Sequence, residues 1–114
     1  MVLISGYHAH VYYGKDTYEQ ARQLCEAAQV EFSINMGHMH ERPVGPHPEW
    51  SCQLSITPQQ FGEVIPWLAT HRDGLTVFIH TVTGDDLADH TEHAMWMGQM
   101  LPLDLTIFAT DDIA

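Results

Sequence analysis

Histidine is the residue type through which this sequence can do chemistry, since nine occur among 114 residues. Four of them lie in or beside alternating apolar runs: His8 and His10 in YHAHVYY, His47 just before WSCQLSI, and His80 at the end of LTVFIH. Histidine is the commonest metal ligand and also the side chain that titrates near neutral pH. A metal-binding or acid–base site is therefore one explanation for the excess, and chance scatter over the surface is the other.

Two predicted strands place three of these histidines on one face. Side chains alternate across a strand, so residues two apart share a face. Over residues 7–13, the more apolar set suits packing against helices and leaves His8 and His10 on the opposite face. Over residues 75–80, the same alternation leaves His80 on the face that does not meet the helices.

The whole chain predicts a single α+β domain over residues 1–114, without internal repeats or a dividing linker. Periodicity and turn residues predict five strands, at 7–13, 31–36, 50–56, 75–80 and 103–108. Three helices are predicted, from Asp16 or Thr17 to about 29, from Thr57-Pro58 onward, and over about 86–98. The order β-α-β-β-α-β with a C-terminal helix–strand extension is the plan of a ferredoxin-like antiparallel sheet, whose first strand lies between the third and the fourth.

In that topology His8, His10 and His80 share one sheet face, and His47 precedes the strand on the other side of the first. The alternative is that each is an ordinary, half-exposed polar residue of a strand. Three neutral imidazoles suit Zn(II), whereas two imidazoles and a carboxylate suit non-haem Fe(II). Glu49 is the nearest carboxylate along the chain, although we favour its interpretation as a solvated loop acid.

Charge and composition exclude several classes of function. The formal net charge is −11, from fifteen acidic and four basic residues. Such a surface repels phosphate backbones and anionic lipids, so neither nucleic acid nor a membrane is expected as a partner. The N-terminal MVLISGYHAHVYYG has neither the basic start of a signal peptide nor the length of a transmembrane helix. Cys25 and Cys52 lack zinc-ribbon spacing and indicate buried thiols, which suits a cytoplasmic protein.

Unusual strings occur in a fixed order along nearly the whole chain: YHAHVYY, RPVGPHP, HRDGLTVFIH and TGDDLADHTEHAMWMG. Together they resemble the DOPA 4,5-dioxygenase family. One position departs from the family pattern, because Thr81 follows the fourth-strand histidine where proline is expected. The resemblance implies a ferredoxin-like homodimer that opens the ring of a catechol such as L-DOPA by extradiol cleavage with O₂. We expect Fe(II) as the cofactor, with zinc or another divalent metal as the alternative.

By position, the resemblance adds His90, in DHT, to the four histidines already singled out. We expect His10, His47 and His80 to be the metal ligands, with His8 able to replace any of them. His8 and His90 are the predicted catalytic residues, because a histidine with a pKa near neutrality suits removal of a proton from a catechol.

Two further residues are predicted to bind the substrate. Arg42 lies in the same loop as His47 and could hold a substrate carboxylate, with a solvated loop cation as the alternative. Tyr12 shares the histidine face and could hydrogen-bond a substrate oxygen, although packing is the more usual role of an aromatic strand residue. The acids at 85, 86 and 89 are expected to cap the last helix rather than to act in catalysis.

The sequence leaves three functions open. The first is an iron-dependent extradiol dioxygenase acting on a catechol. The second is a zinc- or iron-dependent enzyme of different chemistry on the same scaffold, because one fold hosts many functions. The third is a non-catalytic dimer that binds a metal or a small molecule. Oxygen consumption with catechols would separate the first function from the other two.

Overall fold

The strand that carries His8 and His10 lies at the centre of the sheet. A computed structural model describes residues 1–112. Its strands are β1 (Gly6–Tyr13), β2 (Asn35–Met36), β3 (Trp50–Ile56), β4 (Val77–Val82) and β5 (Ala94–Met97). They form one antiparallel sheet in the order β2-β3-β1-β4-β5. The predicted ferredoxin-like arrangement, with the first strand between the third and the fourth, is confirmed.

Helices α1 (Tyr18–Phe32) and α2 (Phe61–His71) cover one face of this sheet. The short α3 (Asp86–Asp89) follows β4, and 3-10 segments lie at Lys15–Thr17 and Leu105–Asp112. Helix α1 buries the four residues with helical spacing, Ala21, Leu24, Cys25 and Ala28. They share one core with Val64 and Leu68 of α2 and with inward residues of the strands, including Ala9 and Val11. The core therefore lies on the sheet face opposite His8 and His10.

The second strand is shorter than predicted. Helix α1 continues to Phe32, whose ring meets Trp67 of α2 edge-on with centroids 5.7 Å apart. Ser33 then adopts a left-handed backbone, with φ of 54°, and ends the helix. Packing between the two helices overrides the strand propensity of this stretch, so only Asn35 and Met36 pair with β3.

The C-terminal elements also differ from the prediction. In place of a helix over 86–98, α3 stops at Asp89 and β5 pairs with β4. The edge of β4 offers backbone hydrogen bonds to AMWM, and this tertiary partner outweighs local helix propensity. In place of a strand over 103–108, Leu105–Asp112 is a 3-10 helix, which places the Phe108 ring 4.6 Å from that of His90.

Two smaller shifts leave the positions of the histidines unchanged. Strand β4 begins and ends two residues later than predicted, so the face on which His80 lies is the expected one. Helix α2 begins at Phe61 rather than near Pro58, after a turn in which Thr57 and Gln60 hydrogen-bond to each other. Within residues 1–112, no helix combines the length and the apolar character needed to span a bilayer.

Candidate metal centre

His10 and His80 meet on the sheet face that α1 and α2 leave open. In the register of β1 and β4, His8 pairs with His80 and His10 pairs with Phe78. The Nε2 atoms of His10 and His80 are 3.1 Å apart. Both side chains are buried, with 5% and 4% of their surface exposed. Alternation along two neighbouring strands thus brings two imidazoles from distant parts of the chain into contact.

His8 completes a group of three imidazoles. One ring nitrogen from each of His8, His10 and His80 lies within 4.8 Å of the other two. Two nitrogens bound to one ion at about 2.1 Å lie about 3 Å apart when their bonds are at right angles. The separation of 3.1 Å between His10 and His80 matches that spacing. The group therefore fits a divalent metal ion and could bind one.

His47 reaches the same cluster from the loop between β2 and β3. Its ring centroid lies 4.1 Å from that of His10, and its Nδ1 lies 2.7 Å from the hydroxyl of Tyr12. Among the described residues, however, it is not one of the three whose ring nitrogens converge. The structure thus brings the three predicted ligands into one cluster, but the converging third nitrogen belongs to His8.

These imidazoles are held in the neutral state. Burial, reinforced by the neighbouring His47 and His80, lowers the pKa of His10 well below its ordinary value. Burial, with a smaller effect of His90, lowers the pKa of His47 to about 4. Burial likewise lowers the pKa of His80 to about 4, although its hydrogen bond to a carbonyl acts in the opposite direction. Because a metal binds the neutral imidazole, the cluster is in the ligating form at pH 7.

Main-chain carbonyls orient two of the rings. His80 Nδ1 donates to the Thr81 carbonyl oxygen at 2.7 Å, and His90 Nδ1 donates to that of Asp86 at 2.6 Å. Since a carbonyl only accepts, each Nδ1 carries a proton, which leaves Nε2 as the ring nitrogen that is not engaged by the main chain. The centroids of the two rings are 4.1 Å apart. The two hydrogen bonds thus fix the orientation of the neighbouring His80 and His90 rings.

A cavity of about 290 Å³ opens over these rings. Its polar wall consists of five histidines, one amide and two acids: His8, His10, His47, His80, His90, Gln53, Asp86 and Asp89. Its apolar wall consists of Pro46, Val82, Ile107 and Phe108. The volume lies just below the range of about 300–1,000 Å³ that is typical of sites for drug-sized ligands. The cavity therefore suits a small molecule with one aromatic ring.

The two predicted substrate-binding residues are placed differently from the histidines. Arg42 is exposed in the loop before His47 and is not among the described residues that line the cavity. Tyr12 is buried, lies outside that lining, and hydrogen-bonds to His47. Tyr12 is thus positioned to orient an imidazole. Glu49 is also exposed and outside the cavity lining, in agreement with a solvated loop acid.

Asp89, which was expected to cap a helix, is a buried carboxylate with 2% of its surface exposed. It accepts hydrogen bonds from the hydroxyls of Thr81 and Thr83, both at 2.7 Å, and from the Thr83 amide at 2.9 Å. Burial acts to raise its pKa, but these hydrogen bonds outweigh burial and hold the pKa below its ordinary value. The cap of α3 is Asp85, which accepts from the Ala88 amide at 3.1 Å. No spacing in the sequence distinguishes Asp89 from the acids at 85 and 86.

Thr81 connects Asp89 to His80, because its hydroxyl bonds the carboxylate while its carbonyl accepts from His80 Nδ1. We expect Thr81→Val to weaken the binding of Zn(II) or Co(II) about tenfold, the lower end of what losing an outer hydrogen bond costs at a metal site. Competition against a chromophoric chelator measures the affinity. Thr83→Val is the matched control, because it removes another hydroxyl from the same carboxylate at a residue that gives His80 no hydrogen bond. Equal losses of affinity in the two variants would contradict the role of Thr81.

Several known proteins are similar to this chain in sequence. The sequence profile of the Dopa 4,5-dioxygenase family matches residues 7–107. An uncharacterized 21.2 kDa protein of Botryotinia fuckeliana is 37% identical over 113 residues, which cover 89% of this chain and 62% of that protein. A DOPA 4,5-dioxygenase of Amanita muscaria is 28% identical over 116 residues, which cover 90% of this chain and 49% of that protein. The chain thus spans about half to three fifths of the length of these relatives.

A similar structure is also known. The crystal structure of a proposed dioxygenase from Nostoc punctiforme superimposes with a TM-score of 0.91 at 34% identity, over 94% of this chain and 93% of that one. The strings that carry the resemblance, with all five histidines around the cavity, lie within the matched residues 7–107. Profile, relatives and fold agree, and the chain belongs to the DOPA 4,5-dioxygenase family.

Proposed function

We propose that this protein is a non-haem Fe(II)-dependent extradiol dioxygenase that opens the ring of a catechol. The observation that carries the proposal is the group formed by His8, His10 and His80, whose neutral imidazoles converge at the floor of a cavity that suits one aromatic ring. Family membership supports O₂ as the second substrate and L-DOPA as the first catechol to test. Iron is favoured over zinc in this proposal because the reaction joins a catechol with O₂, which requires redox chemistry.

His10 and His80 are the proposed ligands on which the geometry and the family resemblance agree. His8 is the proposed third ligand, because its ring nitrogen converges with those of His10 and His80. His47 is the alternative third ligand, expected from the family resemblance. When bound, Fe(II) supplies the Lewis acidity and the redox chemistry that join a catechol to O₂. The protein contributes neutral ligands and a fixed orientation of His80, through its bond to the Thr81 carbonyl.

We assign the role of general base to His90. Its Nδ1 is occupied by the Asp86 carbonyl, so Nε2 is free to take a proton from a catechol hydroxyl. Its ring lies between those of His80 and Phe108, with centroids 4.1 and 4.6 Å away. A ring held over the ligand cluster would therefore have a base within reach. If His47 is the third ligand, His8 is free to serve as a second acid–base group.

The predicted homodimer remains part of the proposal. Met95 and Met100 are exposed at and after β5, with 38% and 78% of their surface accessible. β5 is also an edge strand, which offers unpaired backbone groups to a second copy. We therefore place the expected subunit contact along this edge. Analytical ultracentrifugation of the wild type and of Met95→Lys would test it.

The proposal is tested by loading anaerobically purified protein with Fe(II), adding L-DOPA in air, and following oxygen uptake and visible absorption together. We expect a yellow ring-opened product and one O₂ consumed per catechol. His90→Ala should lower kcat about 100-fold or more, the usual contribution of a general base, while metal content stays unchanged. His71→Ala is the control, because His71 is exposed and stacks on Trp67 of α2, away from the cavity. Bound iron without oxygen uptake on any catechol would overturn the proposed function.

A further inference from the structure

We propose that uncharged polar side chains of β3 and β2, beside the histidine cluster, bind the ring substituent of the catechol and favour a substituent that ends in an oxygen atom. The inference rests on the proposed function, because it concerns another part of the same substrate. A catechol bound through its hydroxyls at the cluster carries its substituent away from the histidines. The strand register and a second cavity identify the side chains that meet it.

The strand register places three polar side chains next to the histidines. Ser55 of β3 pairs with His8, and Asn35 of β2 pairs with Ser55. Gln53, two residues before Ser55, pairs with His10. Directly opposed residues of an antiparallel pair lie on the same face of the sheet. Gln53, Ser55 and Asn35 therefore form a polar strip that continues from the histidines toward the β2 edge, on the face opposite the core.

A second cavity, of about 230 Å³, opens over this strip. His8 and Val82 line both this cavity and the one above the histidine cluster, so the two cavities share a wall. Ser55 and Asn35 line the second cavity, and Gln53 lines the first. The described lining of the second cavity contains no aspartate, glutamate, lysine or arginine. The ring and its substituent thus have separate, adjoining spaces, and the second space is polar without carrying a fixed charge.

The polar strip offers hydrogen-bond donors to a ligand. Gln53 Nε2 donates to Ser55 Oγ at 3.3 Å, which links the linings of the two cavities. This bond engages the oxygen of Ser55 and leaves its hydroxyl proton to be donated. The exposed carboxamide of Asn35 adds two N–H groups. Donors of this kind suit an oxygen atom, as in a hydroxyl, a carbonyl or a carboxylate.

The dimensions of the sheet match a catechol with a short side chain. Neighbouring strands lie about 4.8 Å apart, so Ser55 is about 5 Å and Asn35 about 10 Å from His8 across the sheet. On the other side, the rings of His90 and Phe108 wall the first cavity beside His80 of β4. A substituent is therefore directed over β3, where an oxygen at its end meets the polar strip. The class of ligands with such an oxygen includes L-DOPA, through its carboxylate.

The test compares two uncharged ligands of nearly equal shape. Zn(II)-loaded protein, kept anaerobic so that no turnover occurs, is titrated in a calorimeter with hydroxytyrosol and with 4-propylcatechol. In the second ligand a methyl group replaces the side-chain hydroxyl of the first. We expect hydroxytyrosol to bind about fivefold more tightly, the gain from one net hydrogen bond. Because neither side chain is charged, the metal and the net charge of the protein act on both ligands alike.

The double variant Ser55→Ala/Asn35→Ala should lower the ratio of the two affinities, hydroxytyrosol over 4-propylcatechol, to about one, since it removes the proposed donors. Ser51→Ala is the matched control. It removes a serine hydroxyl from the same face of β3, at a residue outside the described linings of both cavities, and should preserve the ratio. Equal affinities in the wild type, or a preference for hydroxytyrosol that survives the double variant, would overturn the inference.

Iron-loaded protein then separates this inference from the proposed function. If the double variant loses the preference in the Zn(II) titration but iron-loaded wild type opens no catechol, the proposed function is wrong and the polar strip stands as a binding site. If iron-loaded wild type opens hydroxytyrosol and 4-propylcatechol with equal kcat/KM, the role of the polar strip is wrong and the dioxygenase assignment stands.

Discussion

Replacing His10 with alanine is expected to abolish stoichiometric metal binding and, with it, ring opening. His10 is almost fully buried, its Nε2 lies 3.1 Å from that of His80, and its ring also contacts that of His47. Loss of an outer hydrogen bond already costs about 10- to 100-fold in metal affinity, so loss of this ligand should cost at least about 100-fold. The metal retained after dialysis and the visible absorption of a Co(II) derivative report the effect directly.

His38→Ala provides the control for a missing imidazole. His38 is exposed and packs its ring against that of His40, 4.9 Å away, outside the cavity lining. Its removal should leave metal content and activity unchanged. Retention of one tightly bound metal ion per chain in His10→Ala would contradict the assignment of this cluster as the metal centre.

The same measurement decides the third ligand. If His8 holds it, His8→Ala should lose the metal, whereas His47→Ala should keep the metal and lose activity only in part. The geometry favours this order, because the ring nitrogen of His8 joins the converging group and Nδ1 of His47 is engaged by Tyr12. If instead His47→Ala loses the metal and His8→Ala keeps it, His47 is the third ligand.

The metal-free protein is expected to lose stability steeply between pH 6.5 and pH 4. A histidine in the unfolded chain has a pKa of about 6.5, whereas burial holds the pKa of His47 and His80 at about 4 in the folded protein. Between these values the unfolded state binds more protons, so the free energy of unfolding is fully present above pH 6.5 and falls as the pH falls. Each of the two histidines should contribute a loss of about 2 kcal/mol between pH 7 and pH 5.

Urea unfolding in the presence of EDTA, at pH 7, 6 and 5, measures this loss. His80→Gln should show a shallower dependence on pH than the wild type, because one buried titrating group is gone. His71→Gln, which changes an exposed histidine of α2, should follow the wild type. A free energy of unfolding that is equal at pH 7 and pH 5 would contradict the neutral, buried state of the cluster.

The alternation of side chains along the strands made it possible to predict the histidine cluster from the sequence. It placed His8, His10 and His80 on one face, and that placement did not depend on the ends of β4, which lie two residues later than predicted. The central position of β1 followed from the order of elements alone. Both predictions rest on periodicity, which survives errors in the boundaries of an element.

Residues outside regular structure could not be placed in this way. The loop that carries Arg42 and His47 has no period, so the sequence gives no reason for one side chain to point outward and the other inward. His90 was reached only through the family resemblance. Asp89 was taken for a capping acid because a first-turn position suits a carboxylate, whereas its buried bonds to Thr81 and Thr83 depend on how β4 meets α3.

Ile107 and Phe108 form part of the cavity wall although they belong to the last 3-10 helix. The two ends of the chain therefore differ in how suitable they are for an affinity tag. Residues 1–4 are exposed and contribute nothing to the described lining of the cavity, so an affinity tag belongs there. A tag at the other end would begin two residues after the 3-10 helix Leu105–Asp112, which carries Ile107 and Phe108 of the cavity wall. Kinetic constants measured on protein with a C-terminal tag would therefore reflect an effect of the tag on the cavity wall as well as the chemistry of the site.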